Sequence, residues 1–92
     1  MSHKRIHLFY SGSVQGVGFR YTAQGLANEI GIVGWMKNLC DGRVEVVCEG
    51  KKEDIKDFLD KIQKGPLGYY IKNVDVTWEE PTNEFSGFEI RF

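Results

Sequence analysis

Cysteine, proline and histidine are scarce in this chain of 92 residues, at two of each. Two thiols, Cys40 and Cys48, cannot fill a structural zinc site, and they lack the Cys-x-x-Cys spacing of a metal or redox pair. A two-residue Asp41-Gly42 hairpin turn would set Cys40 across from Arg43 and Trp35 across from Cys48, leaving the sulfurs far apart. Both cysteines are therefore expected to be reduced, Cys48 in the core and Cys40 near the turn. His3 and His7 sit at the start without a matching carboxylate pattern and read as strand or surface residues. No metal site and no cofactor is expected. Long apolar runs are also missing. None approaches the roughly 20 residues that cross a bilayer, so no membrane partner is expected. Charge of one sign is not in excess: 12 Lys and Arg face 13 Asp and Glu, for a net charge of −1. That balance advertises no nucleic acid and no acidic membrane surface. The start, Met1-Ser2-His3-Lys4-Arg5, is basic, but strand-like alternation follows it rather than a signal-peptide core. The expectation is a cytoplasmic monomer, and the length supports a single domain, 1–92.

What is present is clear periodicity. From Arg5 to Ser11, Ile6, Leu8 and Tyr10 alternate with His7, Phe9 and Ser11, which predicts a strand whose second face is not wholly polar. Phe19, Ala23, Leu26, Ala27 and Ile30 form a helical stripe, and Gly31 is a natural stop. Residues 32–39 and Arg43–Glu49 predict two strands around the Asp-Gly turn, the second broken by Gly50. Lys51–Lys64 is an amphipathic helix with Ile55, Phe58, Leu59 and Ile62 inward, ended by Gly65-Pro66. The acids Glu49, Glu53, Asp54, Asp57 and Asp60 are read as its solvated face. Tyr69–Glu79 alternates again, and Gly87–Phe92 adds a short last strand. Trp35, Phe19 and Phe88 are assigned to the core. The order βαββαβ plus a terminal strand predicts an α+β fold of ferredoxin-like, split βαβ type, with two helices on one face of an antiparallel sheet.

One segment stands apart: Gly12-Ser13-Val14-Gln15-Gly16-Val17-Gly18-Phe19-Arg20. It joins a strand to a helix, where backbone N–H groups and a helix N-terminus can form an anion cradle. Gly16 and Gly18 allow the left-handed turns such a cradle needs. Arg20 adds a planar fork suited to two phosphate oxygens. The segment is neither a Walker loop nor a dinucleotide fingerprint. On residues alone the alternative stays open: a plain turn followed by a solvated arginine.

The string Gly-x-Val-Gln-Gly-Val-x-Phe-Arg resembles the signature of the acylphosphatase family. A second stretch, Gly34-Trp35-Met36-Lys37-Asn38-Leu39-Cys40-Asp41-Gly42-Arg43-Val44-Glu45-Val46, resembles the family's other signature. The two strings come in the right order and separation, and the likeness covers essentially the whole chain. Tyr10, Met36 and Leu39 depart from the usual residues, and Leu39 stands where many members carry a hydroxyl next to the asparagine.

The resemblance implies hydrolysis of the carboxyl–phosphate bond of small acyl phosphates without a metal. It assigns Arg20, with the backbone N–H groups of Gln15, Gly16, Val17, Gly18 and Phe19, to the phosphoryl oxygens. Asn38 would orient the attacking water. Taken alone, Asn38 reads as a turn-flanking residue. The chemistry fits a site with few groups, because the leaving carboxylate, with a carboxyl pKa of about 4, needs no general acid. The partners implied are a small acyl phosphate as substrate and inorganic phosphate or a similar anion as product and inhibitor. Two other classes share these features. RNA-recognition domains have the same element order, but Arg43–Glu49 offers no aromatic and two acids, so no RNA binding is expected. A non-catalytic anion sensor would use the same loop but would not call for Asn38.

Overall fold

A computed structural model describes residues 3–92; Met1 and Ser2, part of the basic start, lie outside the described residues. The elements run β1 (His3–Gly12), α1 (Phe19–Ile30), β2 (Val33–Asn38), β3 (Val44–Lys51), α2 (Lys52–Lys64), a 3-10 turn (Pro66–Tyr70), β4 (Ile71–Glu79) and β5 (Phe88–Arg91). The strands order as β4-β1-β3-β2-β5 in one sheet. The ferredoxin-like α+β arrangement is present, with α1 and α2 packed on the sheet face that carries Ile6, Leu8 and Tyr10 of β1 and Val44, Val46 and Cys48 of β3. All six are at most 2% exposed, and they join Phe19, Ala23, Ala27, Ile55, Phe58 and Ile62 from the helices in the core. Period-2 strands against period-3.6 helices bury one stripe of each, which is what the alternation called for.

The sheet is not antiparallel throughout. The first four strands are, but β5 runs parallel to β2, from Gly34 opposite Phe88 to Lys37 opposite Arg91. The chain leaves β4 at one edge and crosses the open face before entering at the other edge, so β5 starts from the same end as β2. Thr82 and Asn83 pin that crossing by donating their backbone N–H groups to the Glu49 carboxylate at 2.9 and 3.0 Å.

The hairpin register differs by one residue from the expectation. Gly34 pairs with Cys48, Trp35 with Val47 and Asn38 with Val44. The connection is three residues long. Leu39 N–H donates to Arg43 C=O at 2.8 Å, and Gly42 N–H donates to Leu39 C=O at 3.2 Å. Gly42, at φ +95°, takes the left-handed position of a turn with a bulge. A one-residue slip changes every side chain's face. Trp35 therefore leaves the core for the open face, where Lys37 and Arg91 lie 5.8 and 4.8 Å from its ring. Phe19 and Phe88 are in the core as expected, and both cysteines are free, Cys48 buried and Cys40 exposed. Gly50 does not break β3, which continues to Lys51, and β4 begins after Tyr69 and Tyr70, which belong to the 3-10 turn. Among the described residues no helix is long and apolar enough to cross a membrane.

Candidate active site

The glycine-rich loop leaves β1 at the end of the sheet where β2 turns into β3. Its apolar residues anchor it. Val14 is fully buried, Val17 packs partly against the core, and the ring of Phe19 lies 5.2 Å from that of Tyr10. The intervening glycines turn the backbone: Gly16 has φ +80° and Gly18 φ +74°. A Cβ on either would meet nothing within 4 Å, so the backbone angle, not lack of room, requires glycine there. Gly18 caps α1 without any side-chain cap, and the helix's first turn holds no acidic residue. The hydrogen bond from Thr22 N–H to Gly18 C=O, 3.0 Å, leaves the N–H groups of Phe19, Arg20 and Tyr21 ahead of the helical ladder. The positive end of the helix is thus uncompensated.

Gln15 contributes its side chain as well. Its side-chain amide donates to Leu39 C=O at 2.8 Å and Arg43 C=O at 3.0 Å, fastening the loop to the β2–β3 connection. Asn38 sits on the last position of β2, beside Val44 and hence on the helix-covered side. Its Oδ1 is buried and accepts no hydrogen bond among the described residues. A buried acceptor left empty costs about 1–3 kcal/mol, so its persistence points to a donor that arrives with a ligand or water.

Arg20 is half-buried at the start of α1, with its guanidinium carbon 4.9 Å from the centre of the Phe92 ring. Among the described residues no carboxylate pairs with it. Arg5 pairs with Glu49 and Glu79, Arg43 with Asp41 and Arg91 with Glu89. Stacking on Phe92 occupies one face of the guanidinium and leaves its in-plane donors for oxygens.

A cavity of about 240 Å³ brings Arg20 and Asn38 together, with Gly16, Gly18 and Phe19 on its wall and Val14 and Tyr21 completing it. Of the residues singled out in the sequence, Gln15 and Val17 do not line it; the first braces the loop and the second packs inward. Val14, Tyr21 and Phe92 were missed. Nothing in local pattern distinguishes Tyr21 from any exposed helical residue, and Phe92 meets Arg20 only through tertiary structure. Lys37 and Arg43 face away: Lys37 lies 5.8 Å from the Trp35 ring and Arg43 stacks on Phe9 at 4.7 Å. The histidines lie on the open face, His7 between Glu45 at 2.6 Å and Glu79 at 3.2 Å.

Comparison with known proteins identifies the family. The family model described as acylphosphatase matches residues 6–90. An acylphosphatase of Roseiflexus sp. (strain RS-1) is 46% identical over 90 residues, covering 98% of this chain and 97% of the relative. One of Haloarcula marismortui is 40% identical over 92 residues and covers 100% of both. Among solved structures, an acylphosphatase from Bacillus subtilis superposes with a TM-score of 0.89 at 31% identity, over 97% of this chain and 99% of that one. Another from Coxiella burnetii gives 0.86 at 33% identity, over 98% and 94%. With the sequence match and the shared fold in agreement, the chain belongs to the acylphosphatase family and is an enzyme, an acylphosphate phosphohydrolase.

Proposed function

We propose that this enzyme hydrolyses the carboxyl–phosphate bond of small acyl phosphates without a metal, holding the phosphoryl group with the Gln15–Arg20 loop and orienting water with Asn38. The observation that carries this reading is the empty, buried Oδ1 of Asn38, which shares one cavity with a half-buried, carboxylate-free Arg20. A water donating to Oδ1 has its own lone pair free to face a phosphorus held by Arg20 and the loop. The oxygen of that water bonds to phosphorus as the bond to the acyl oxygen breaks. The electron pair leaves on the carboxylate, and the water's protons end on phosphoryl oxygens, giving a carboxylate and dihydrogen phosphate. Positioning and charge stabilisation are the main terms in such a transfer. The lining offers no carboxylate, imidazole or thiol to ligate a cation or act as a base. Product phosphate fits the same cradle and should compete with substrate. Two free thiols suit the cytoplasm.

Loss of one preorganised hydrogen-bonding group of this kind costs on the order of 10²- to 10³-fold in rate. Arg20→Ala and Asn38→Ala should each lower kcat/KM for a model acyl phosphate by at least about a hundredfold, with an unchanged circular dichroism spectrum. Arg20→Ala should also weaken inorganic phosphate binding, and Asn38→Ala should not. Near wild-type turnover in either variant would refute the assignment. So would loss of wild-type activity in chelator that returns with a divalent cation.

A further inference from the structure

The phosphoryl group accounts for only one end of the substrate. With Val14 and Phe19 closing the floor of the cavity, at 0% and 2% exposure, the acyl group of a seated substrate must leave through the mouth. Tyr21 stands there. It follows Arg20 in α1, it lines the same cavity, and it is 65% exposed. Among the described residues its ring stacks on no other ring and its hydroxyl makes no hydrogen bond. Tyr69 packs edge-on against Tyr70 at 5.3 Å and Phe92 lies against Arg20, while the exposed Trp78 belongs to β4 and does not line this cavity. Tyr21 is therefore a rigid, flat, largely apolar surface with nothing on it, beside the point where an acyl group emerges.

The charges around the mouth sharpen the choice of acyl group. The cationic side chain in the lining is Arg20, which the phosphoryl oxygens would occupy, while Lys37 and Arg43 lie on the opposite face of the sheet. A second anionic group on the acyl tail would find no further cation in the lining. We propose that Tyr21 is the residue that sets acyl-group specificity, and that the enzyme favours acyl phosphates with a flat apolar or aromatic acyl group over small or acidic ones. This rests on the phosphate-holding role given above to Arg20 and the loop.

The test compares kcat/KM for benzoyl phosphate and acetyl phosphate in wild type, Tyr21→Phe and Tyr21→Ala. One lost aromatic contact is worth about two- to tenfold. Tyr21→Ala should lower kcat/KM for benzoyl phosphate by that factor, mainly through KM, while acetyl phosphate changes by less than about twofold. Tyr21→Phe keeps the ring and should keep the wild-type preference. Equal losses on both substrates in Tyr21→Ala, no loss on either, or a Phe variant that behaves like the Ala variant would each overturn the proposal. The outcome separates from that of the underlying reading: full activity in Arg20→Ala removes the phosphate site itself, whereas an Arg20-dependent enzyme with an unchanged preference in Tyr21→Ala removes only the role of Tyr21.

Discussion

Replacing Glu49 by Gln should destabilise the protein by an amount that depends on pH. Glu49 is 0% exposed yet charged. Burial alone would raise its pKa, but Thr82 N–H, the Arg5 guanidinium, Asn83 N–H and the Thr82 hydroxyl together bring it from the ordinary 4.5 down to about 2. A shift of that size corresponds to about 3 kcal/mol of stability at neutral pH. The sign follows from proton binding. Between pH 4.5 and 2 the unfolded chain takes up the proton and the folded one does not, so the contribution is complete above about 4.5 and fades as pH falls towards 2. In Glu49→Gln the neutral amide loses the ion pair with Arg5 and presents its own N–H donors to those of Thr82 and Asn83. Urea unfolding followed by tryptophan fluorescence should give a wild-type advantage of about 3 kcal/mol at pH 7. That gap should shrink to less than half by pH 3. An equal gap at pH 7 and pH 3, or none at pH 7, would refute this account. The carboxylate lies at the end of the sheet away from the cavity, so folded Glu49→Gln should turn over substrate at pH 7 as wild type does.

Two glycines of the signature strings should respond oppositely to alanine. A Cβ on Gly34 would lie 2.0 Å from Val47 C=O, so Gly34→Ala should cost more than about 4 kcal/mol and fail to fold stably, as thermal melts would show. Gly16→Ala meets only the strain of a left-handed residue, about 1–2 kcal/mol, and should stay folded while losing at least tenfold in kcat/KM. Gln15→Ala removes two hydrogen bonds to carbonyls, each worth about 1 kcal/mol, so a chemical melt should register a loss of about 1–2 kcal/mol. Its kcat should fall more than its affinity for phosphate, because the loop and Asn38 lose their tie; unchanged stability would show that the tie is not formed in solution.

Much of this was legible in the sequence because it depends on local period and backbone chemistry. Ile6, Leu8 and Tyr10 announce a half-buried strand, and Ile55, Phe58 and Ile62 a helix face, whatever surrounds them. Gly16, Gly18 and Arg20 bear their meaning in the loop itself, and Asn38 was found through the resemblance of its stretch rather than through any property of asparagine. What escaped depends on contacts between distant segments. Asp-Gly suits a two-residue turn as well as the end of a three-residue one, so the flanking register could not be read from it. Glu49, assigned to a solvated helix face, is buried because residues 80–86 cross above it, and no local pattern reports a crossing. Phe92 on Arg20 and Tyr21 at the mouth belong to the same class.

The register of one hairpin decides whether Asn38 and Arg20 share a cavity at all. Directly paired residues share a face, so pairing Asn38 with Val44 puts its side chain on the covered side, towards α1 and Arg20. In the register of a two-residue turn, Asn38 would pair with Glu45 and stand on the open face among His7 and Glu79, with the sheet between it and the loop. The extra residue of the connection is thus as necessary to the geometry as the glycines of the cradle. Gln15 reads that same connection, since its two acceptors, Leu39 C=O and Arg43 C=O, are the carbonyls that flank the three-residue turn. A shifted hairpin would present different carbonyls and break the tie. The side chain that fastens the glycine-rich loop is therefore also a check on the register that brings Asn38 to face it.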